Sequence, residues 1–397
     1  MRSRRTSREC GVTKSTATYP LALLAIAGTG VFMAAATGMT RAPFLLQMAH
    51  DFQVDLVLVS HLLSVTATAW GITAFFTGPL GRTFGRRRVL MGGQIVIGLS
   101  MIAIAVSAEY WQAVVSVAVG GAACGAYMGT VFGEVADRVV DSMRGRAMGW
   151  VIGGQSLALL LGVPAASWIG SFVGWRGVSV AIAVCAFGVA AATWPVFPAA
   201  PARPAGTGGA AGVAAALRPR ILALLGASIA ERTCFGLVAT FFATYLQLAH
   251  GFGLADLALP LALVAGGNFL GNMLGGRLSD TVRDRALLYA VTALGTGAVA
   301  VALFVMAPAT VPAIGLAVLY GLVNGMSRPA LISLLSSVPP EVRGTVLGIN
   351  ITCASIGWVT SAIVGGMLAA TGDWAMLGWV VAVLGIAGAG LGVLGRR

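Results

Sequence analysis

The sequence is poor in charge: Asp, Glu, Lys and Arg make up only 10% of its 397 residues. Soluble domains usually carry about a quarter of such residues. Hydrophobic residues make up 58% of the chain, and they fall into runs about as long as the roughly 20 residues that cross a bilayer. The composition therefore excludes an ordinary soluble protein and predicts an integral membrane protein.

Signatures of ATP use, metal binding and catalysis are also missing from the sequence. It has no Gly-x-x-x-x-Gly-Lys-Ser/Thr loop to hold phosphates, no His-Glu-x-x-His pair and no plausible nucleophile with its base. The five cysteines are odd in number and lack the spacing of metal ligands, so we expect reduced thiols and no metal site. These absences argue against an ATP-driven pump, an intramembrane enzyme and a bound cofactor.

The apolar runs predict an all-α protein with twelve transmembrane helices, because backbone polar groups in hydrocarbon must be paired within the segment. The first run follows a basic N-terminus but is too long for a signal peptide, so we interpret it as an uncleaved span. The predicted helices cover residues 19–41, 56–79, 88–107, 111–133, 146–170, 177–196, 221–246, 257–276, 286–307, 311–335, 345–369 and 375–394.

Basic residues mark one side of the membrane. Most of the 25 Lys and Arg residues lie in alternate gaps between the apolar runs, whereas the other gaps contain only Arg41 and Arg176. Because basic residues concentrate in cytoplasmic loops, the pattern predicts a multi-pass protein of the cytoplasmic membrane with both termini in the cytoplasm. The net charge of +12 thus reflects topology and does not indicate a nucleic-acid partner. We expect a monomer whose partners are membrane lipid and a small-molecule substrate.

The two halves of the chain repeat three short features, each half a chain length apart. The pairs are Gly78-Pro79-Leu80 and Gly276-Arg277-Leu278, Arg144-Gly145 and Arg343-Gly344, and Trp175 and Trp374. Duplicated halves are typical of secondary transporters. The predicted organisation is a basic cytoplasmic tail (1–18), a six-helix bundle (19–197), a cytoplasmic linker rich in Pro, Ala and Gly (198–220), a second six-helix bundle (221–394) and a short cytoplasmic tail (395–397).

Glu231 and Arg232 lie near mid-depth in the seventh predicted span. An ionisable group at the bilayer centre costs roughly 2.5–3.5 kcal/mol or more, so such residues are candidates for function. Adjacent helical residues point about 100° apart, which predicts that these two do not simply neutralise each other. Burial favours a neutral acid and a nearby arginine favours a carboxylate, so Glu231 is our candidate for exchanging a proton. The alternative is a structural Glu–Arg bridge between helices.

Other polar residues within the spans extend this candidate substrate and proton pathway. Tyr320, Asn324 and Arg328 share one face of the tenth span, where Arg328 would bind cargo, pair with Glu231 or extend to the cytoplasmic interface. Asn268 and Asn272 in the eighth span either line a cavity or bond helices to each other. The remaining candidates are Phe235 and Tyr245 on the Glu231 face, Gln155, His61, and Arg41, for which we favour an interfacial anchor over a gate contact.

These motifs resemble those of the major facilitator superfamily, and most closely its drug:proton antiporter branch. The loop after the second span matches the family signature at Gly78, Leu80, Gly85, Arg86, Arg87 and Leu90, but Arg82 replaces its acid and Thr83 its usual arginine. The second copy of the loop keeps Gly276, Leu278 and Asp280, and has Arg283 in place of a glycine. The resemblance implies that these loops gate the cytoplasmic side through a charge relay, which Arg82 would interrupt in the first half.

Two further positions bear on mechanism. Gly162-Val163-Pro164 is the form of the helix-break motif seen in sugar-efflux-like members, and it implies export; its proline lacks the donor that a helix needs. Val117 stands where proton-coupled members often carry an arginine.

The resemblance implies a major facilitator fold and proton-driven export of a small amphiphilic molecule, with the proton gradient as driving force in place of a cofactor. Within transport, the alternative is proton-coupled uptake of a sugar, nucleoside or organic anion. From another class, the alternative is a membrane sensor that has kept the fold and lost transport.

Overall fold

The computed structural model describes residues 21–139, 141–197, 218–306, 309–338 and 340–396, without the side chains of residues 75, 78–79, 82, 136–137, 141–145 and 340–344. The predicted N-terminal tail (1–18), most of the predicted linker (198–220) and Arg397 lie outside the described residues. The surroundings of Gly78 and the side chain of Arg82, both in the first predicted gating loop, also lie outside what the structure describes. We call residues 21–197 the first half and residues 218–396 the second half.

Helices make up nearly all of the described chain. In order they are α1 (Leu21–Met39), α2 (Leu45–Phe52), α3 (Leu56–Phe75), α4 (Thr77–Phe84), α5 (Arg86–Ala105), α6 (Tyr110–Arg138), α7 (Asp141–Leu157), α8 (Val163–Val196), α9 (Pro219–His250), α10 (Ala258–Thr281), α11 (Arg285–Phe304), α12 (Thr310–Leu335), α13 (Pro340–Thr371) and α14 (Trp374–Leu394). A 3₁₀ turn, Ala42–Phe44, precedes α2, and a π-helical turn, Ala158–Gly162, joins α7 to α8.

The predicted twelve-span fold is confirmed. Over the described ranges, 11 helical segments are long and apolar enough to cross a membrane, and one of them, Arg146–Val196, has 51 residues. A straight helix of that length would extend about 77 Å, more than twice the hydrocarbon thickness. Gly174 breaks it, with φ 66° and ψ 177°, a conformation that glycine adopts without strain. This segment therefore contains the fifth and sixth spans.

The helix bundle has two ends, which correspond to the two sides of the membrane. The end at which α1 begins and α14 ends is the terminal side, and the opposite end is the far side. Arg220 Nε donates to the Gly395 carbonyl at 2.9 Å, and Arg396 Nη1 lies 2.9 Å from Asp284 Oδ2. The starts of α9 and α11 therefore meet the end of α14 on the terminal side.

The apolar cores differ between the two sides. On the far side, one core contains buried residues of both halves, including Phe44 and Trp175 of the first and Phe241 of the second. On the terminal side each half has its own core, around Tyr127 in the first half and Tyr289 in the second. The halves are thus packed together on the far side and carry separate cores on the terminal side.

Two hydrogen bonds join the halves on the far side. Gln247 Nε2 of α9 donates to the Pro43 carbonyl at 2.8 Å, and Ser167 Oγ of α8 donates to the Leu254 carbonyl at 2.5 Å. Each half thus supplies one donor and one acceptor. The far side is closed in this conformation.

Glycines bring α10 and α12 into backbone contact. A Cβ at Gly271 would lie 2.1 Å from the Leu322 carbonyl oxygen, and one at Gly325 would lie 2.4 Å from the Asn268 carbonyl oxygen. Small residues allow this close approach between membrane helices. The contact places Asn268 of α10 beside the polar face of α12.

Candidate substrate and coupling site

A cavity lies between the two halves. The cavity and the open space at its mouth together comprise about 450 Å³. The first half contributes Leu159 and Val163, and the second half contributes the rest of the wall: Phe235, Val238, Ala239, Phe242, Leu261, Val264, Ala265, Asn268, Tyr320 and Gly321. Apart from Asn268 and Tyr320, these side chains are apolar, so the cavity suits an apolar group of a small molecule.

The predicted helix break forms the wall contributed by the first half. The helix widens into a π-helical turn over Ala158–Gly162, and Pro164 is the second residue after this turn. Leu159 lies within this turn and Val163 directly after it. Such turns occur often at functional sites, and here the irregular backbone borders the cavity.

Arg232 folds back onto Glu231, and the prediction that these neighbours do not neutralise each other is wrong. Arg232 Nε donates to Glu231 Oε2 at 2.6 Å, and its Nη2 donates to Oε1. The 100° separation describes the directions of the two Cβ atoms. The arginine side chain is long enough to bend back so that its guanidinium reaches the neighbouring carboxylate. Both residues are buried, and the Arg232 guanidinium lies 4.6 Å from the centroid of the Phe235 ring.

Arg328 approaches the same carboxylate from α12. Its Nη1 lies 3.4 Å from Glu231 Oε2, a longer contact than those of Arg232. Its side chain is 33% exposed, whereas that of Glu231 is 2% exposed. We call Glu231, Arg232 and Arg328 the Glu231 cluster. With two arginines and one carboxylate, it has a net formal charge of +1.

The other predicted polar residues of the second half lie beside this cluster or the cavity. Tyr320 donates its hydroxyl to the Cys234 carbonyl at 2.6 Å, and Asn268 Nδ2 donates to the Gly321 carbonyl at 3.3 Å. Asn272 Nδ2 donates to the carbonyl and the side-chain oxygen of Asn268, at 2.9 and 3.1 Å. Asn324 is buried, and its Oδ1 has no hydrogen-bond partner. Asn268 thus does both things considered for it, lining the cavity and bonding to α12.

Of the predicted pathway residues, Phe235, Asn268 and Tyr320 belong to the cavity wall, whereas Tyr245, His61 and Gln155 lie elsewhere. Tyr245 packs instead in a far-side aromatic group, with ring centroids 5.1 Å from those of His250 and Phe304. His61 and Gln155 are half-buried and are not part of the cavity wall.

Arg41 is buried, so the interpretation of this residue as an interfacial anchor is wrong for this conformation. Its Nη1 donates to Thr66 Oγ1 of α3 at 2.8 Å, whereas its Nη2 is buried without a hydrogen-bond partner. A Cβ at Gly121 of α6 would lie 2.5 Å from the Thr66 carbonyl oxygen. The guanidinium therefore reaches into the first half, towards the place where α3 meets α6.

The first predicted gating loop contacts a buried acid of α6 that the sequence analysis missed. Glu134, near the end of α6, accepts a hydrogen bond from Arg86 Nη1 at 3.1 Å and another from Arg138. We call these three residues the Glu134 cluster. The Arg87 guanidinium lies 3.7 Å from the centroid of the Trp194 ring, and Gly85, directly before α5, has φ 80°. The acid expected at position 82 is thus supplied by another helix.

The second gating loop differs from the first. Asp280 and Arg283 are exposed, and neither belongs to the ion pairs seen among the described residues. Arg285 Nε donates to the Ser279 carbonyl at 2.9 Å, and Asp284 pairs with Arg396. The charge contact of this loop therefore lies at Asp284, four residues beyond the acid that the motif indicated.

Twelve spans in two similar halves around a central cavity define a membrane transport protein of the secondary type. The model of the Major Facilitator Superfamily matches residues 26–362. The chain belongs to this family, whose members are transporters and not enzymes.

Known relatives and a solved structure agree with this assignment. The chain is 30% identical over 271 residues to a chloramphenicol resistance protein of Streptomyces lividans, covering 66% of this chain and 67% of that protein. It is 33% identical over 159 residues to the uncharacterized MFS-type transporter YwfA of Bacillus subtilis (strain 168), but this match covers only 40% of the chain and 38% of that relative. A D-xylose-proton symporter crystal structure superposes with a TM-score of 0.76 and 16% identity, over 94% of this chain and 97% of that one.

Proposed function

We propose that the protein exports a small amphiphilic molecule across the cytoplasmic membrane in exchange for protons. One observation carries this proposal: a buried carboxylate, Glu231, is held by two arginines at the edge of an apolar cavity between the halves. A carboxylate in such a place is expected to have a function, because burying it without one is costly.

Glu231 would couple proton movement to the change of conformation. Its carboxylate joins α9 to α12 through Arg328. Protonation removes the negative charge that both arginines contact, so the link between these helices weakens. Cargo in the cavity touches both halves, since Leu159 belongs to the first and Phe235 to the second. Rocking of the halves would then open the cavity to one side at a time.

The direction of transport is inferred from a relative, and the conformation is compatible with it. The far side is closed here by the shared core and two hydrogen bonds. The basic loops predict that the terminal side is cytoplasmic, so this conformation corresponds to the stage at which an exporter loads cargo or an importer releases it. The relative from S. lividans is a resistance protein, which supports export. An inward proton would gain about 2.3 kcal/mol per 100 mV of potential.

Proton symport of an organic anion is the second candidate, and the surplus positive charge of the Glu231 cluster favours it. Protonation of Glu231 would raise that charge further. An anion would consequently bind more tightly together with a proton, as a symporter requires, whereas exchange requires cargo and proton to exclude each other.

The test begins with a compound-sensitivity panel, including chloramphenicol, on cells with and without the protein, repeated with a protonophore. An identified compound is then offered to inside-out vesicles whose lumen is acidified. We expect accumulation in the lumen, and we expect Glu231→Gln to abolish the protonophore-sensitive part. Asp55→Asn, an exposed acid on the far side, is the matched control and should retain it.

Two results would contradict the proposal. Expulsion of the compound from an acidified lumen would support symport instead. Unchanged sensitivity to every compound would leave a sensor as the better interpretation.

A further inference from the structure

We propose that the cargo is an amphiphile without positive charge whose polar end accepts hydrogen bonds: its apolar body fills the cavity, and its polar end contacts the guanidinium of Arg328. This inference rests on the proposed transport function and names the class of molecule that the same site would bind.

The cavity itself offers almost no free polar groups. Asn268 donates to the Gly321 carbonyl and accepts from Asn272, and Tyr320 donates its hydroxyl to the Cys234 carbonyl. The rest of the wall is apolar. The part of a cargo molecule that lies here is therefore bound by apolar contact, and any polar group must find its partner outside the cavity.

The Glu231 cluster borders the cavity on its terminal side. Tyr320, Asn324 and Arg328 follow each other at four-residue intervals on α12, so each is about 6 Å further along the helix. Tyr320 lines the cavity, and Asn324 beyond it is buried with an unpartnered Oδ1. On α9, Phe235 lines the cavity one turn from Glu231. A molecule that extends from the cavity towards the terminal side meets Arg328.

Arg328 has donors to spare. Arg232 takes both oxygens of Glu231, whereas Arg328 makes one 3.4 Å contact to an oxygen that already accepts from Arg232. Its side chain is 33% exposed, compared with 11% for Arg232. A guanidinium has five N–H donors and no acceptor. The group of a cargo molecule that would bind this guanidinium is therefore a carbonyl, a carboxylate or another hydrogen-bond acceptor.

The positive charge of the Glu231 cluster excludes positively charged cargo. The net formal charge of +1 in a largely buried cluster repels a cation, because interactions between charges strengthen in surroundings of low dielectric. The site as a whole therefore selects against organic amines.

Binding of matched probes to the purified full-length protein in detergent, by calorimetry without a proton gradient, tests this inference. The probes are 4-phenylbutanoate, 4-phenylbutanamide and 4-phenylbutylamine, with naphthyl analogues of each. We expect the amine to bind at least tenfold more weakly than the amide. Arg328→Gln should remove this discrimination and weaken the carboxylate at least tenfold, while Glu231→Gln should tighten the carboxylate. Arg328→Lys should retain the ranking in part, and Arg218→Gln, exposed at the start of α9, should retain it fully.

Three results would overturn the inference: an amine that binds the unmodified protein as tightly as the amide, a ranking that Arg328→Gln leaves unchanged, or no binding of any probe. Equal binding of the carboxylate and its amide would identify a neutral cargo. A carboxylate that binds more tightly would identify an anionic cargo and would favour symport over the proposed exchange, since protonation of Glu231 would then tighten cargo binding. Both results agree with the inferred class of cargo. If the ranking holds but vesicles show no proton dependence, the transport proposal fails and the binding class stands.

Discussion

In the described part of the chain, each half has a buried glutamate that lies between two arginines. The Glu134 cluster consists of Glu134, Arg86 and Arg138, and the Glu231 cluster of Glu231, Arg232 and Arg328. The two carboxylate side chains are 5% and 2% exposed. The clusters match in composition, but they differ in depth. Glu134 lies in the last two turns of α6, and its cluster ties this helix to the start of α5, whereas Glu231 lies inside α9 beside the cavity.

We interpret this difference as one between a scaffold and the proposed coupling site, set by place in the fold and not by composition. The partners of Glu134 lie at the same end of the first half, at the start of α5 and the end of α6, and none of the three residues lines the cavity. The partners of Glu231 include Arg328, which borders the cavity and is partly exposed. The duplicated fold therefore carries one cluster suited to holding helices together and one suited to exchanging a proton.

The largest expected difference between the two clusters is in proton-driven transport. Glu231→Gln should reduce proton-driven transport to the background of cells without the protein, because it removes the proton-binding group. Glu134→Gln should lower the rate but keep its dependence on pH. Initial rates in vesicles as a function of lumen pH measure both. If Glu134→Gln lost the pH dependence while Glu231→Gln kept it, the roles assigned to the clusters would have to be exchanged.

The next expected effect concerns the packing that supports the Glu231 cluster. A Cβ at Gly357 of α13 would lie 2.5 Å from Arg232 Cβ and 2.9 Å from the Ile229 carbonyl oxygen. Gly357→Ala should cost about 1–3 kcal/mol of unfolding free energy by overpacking, and should also impair coupling because Arg232 must move. Thermal unfolding in detergent and vesicle transport report the two effects.

Gly348→Ala on the same helix is the matched control, since a Cβ there would meet nothing within 4 Å. Equal behaviour of the two variants would show that the contact between α9 and α13 does not position Arg232.

A third, smaller effect tests the scaffold role of the Glu134 cluster. Glu134→Ala should lower the unfolding free energy by about 1–3 kcal/mol, because it removes the buried acceptor that joins Arg86 to Arg138. Asp55→Ala on the far side, where the acid is exposed, should change it little. A melting temperature that Glu134→Ala leaves unchanged would argue that the cluster acts in gating alone.

The sequence was sufficient to predict the membrane-spanning helices, but it did not predict most of the partners of the charged residues. Hydropathy locates helices because an unpaired backbone is excluded from lipid, whatever the tertiary contacts. Pairing depends on side-chain reach. The rule of 100° per residue missed the Arg232–Glu231 bond, since it describes Cβ directions and not the end of an arginine side chain.

Long-range partners were missed for a related reason. The search for an acid in the first gating loop looked within the loop, at position 82, whereas the acid that Arg86 contacts is 48 residues away on α6. In the second half, by contrast, the pairing of Arg328 with Glu231 was among the alternatives, because two charged residues at similar depth in a membrane have few other partners.

A buried arginine outside both clusters, Arg41, pairs with no carboxylate among the described residues and sharpens the comparison. Arg41 is buried, and apart from its bond to Thr66 it belongs to none of the ion pairs seen in the described ranges. A buried charge without a counter-charge lowers stability. Arg41→Met should therefore leave the unfolding free energy unchanged or raise it, whereas Arg86→Met in the Glu134 cluster should lower it.

The same Arg41→Met variant should nevertheless transport more slowly. Arg41 directly precedes the 3₁₀ turn Ala42–Phe44, and the Pro43 carbonyl in that turn accepts the hydrogen bond from Gln247 that joins the halves on the far side. If the turn loses its anchor to α3, this contact forms less well and the far side closes less completely. Denaturation and vesicle transport on one preparation measure both effects. A variant that lost as much stability as Arg86→Met would show that Arg41 is compensated like the paired arginines, and the distinction between paired and unpaired buried charges would fail.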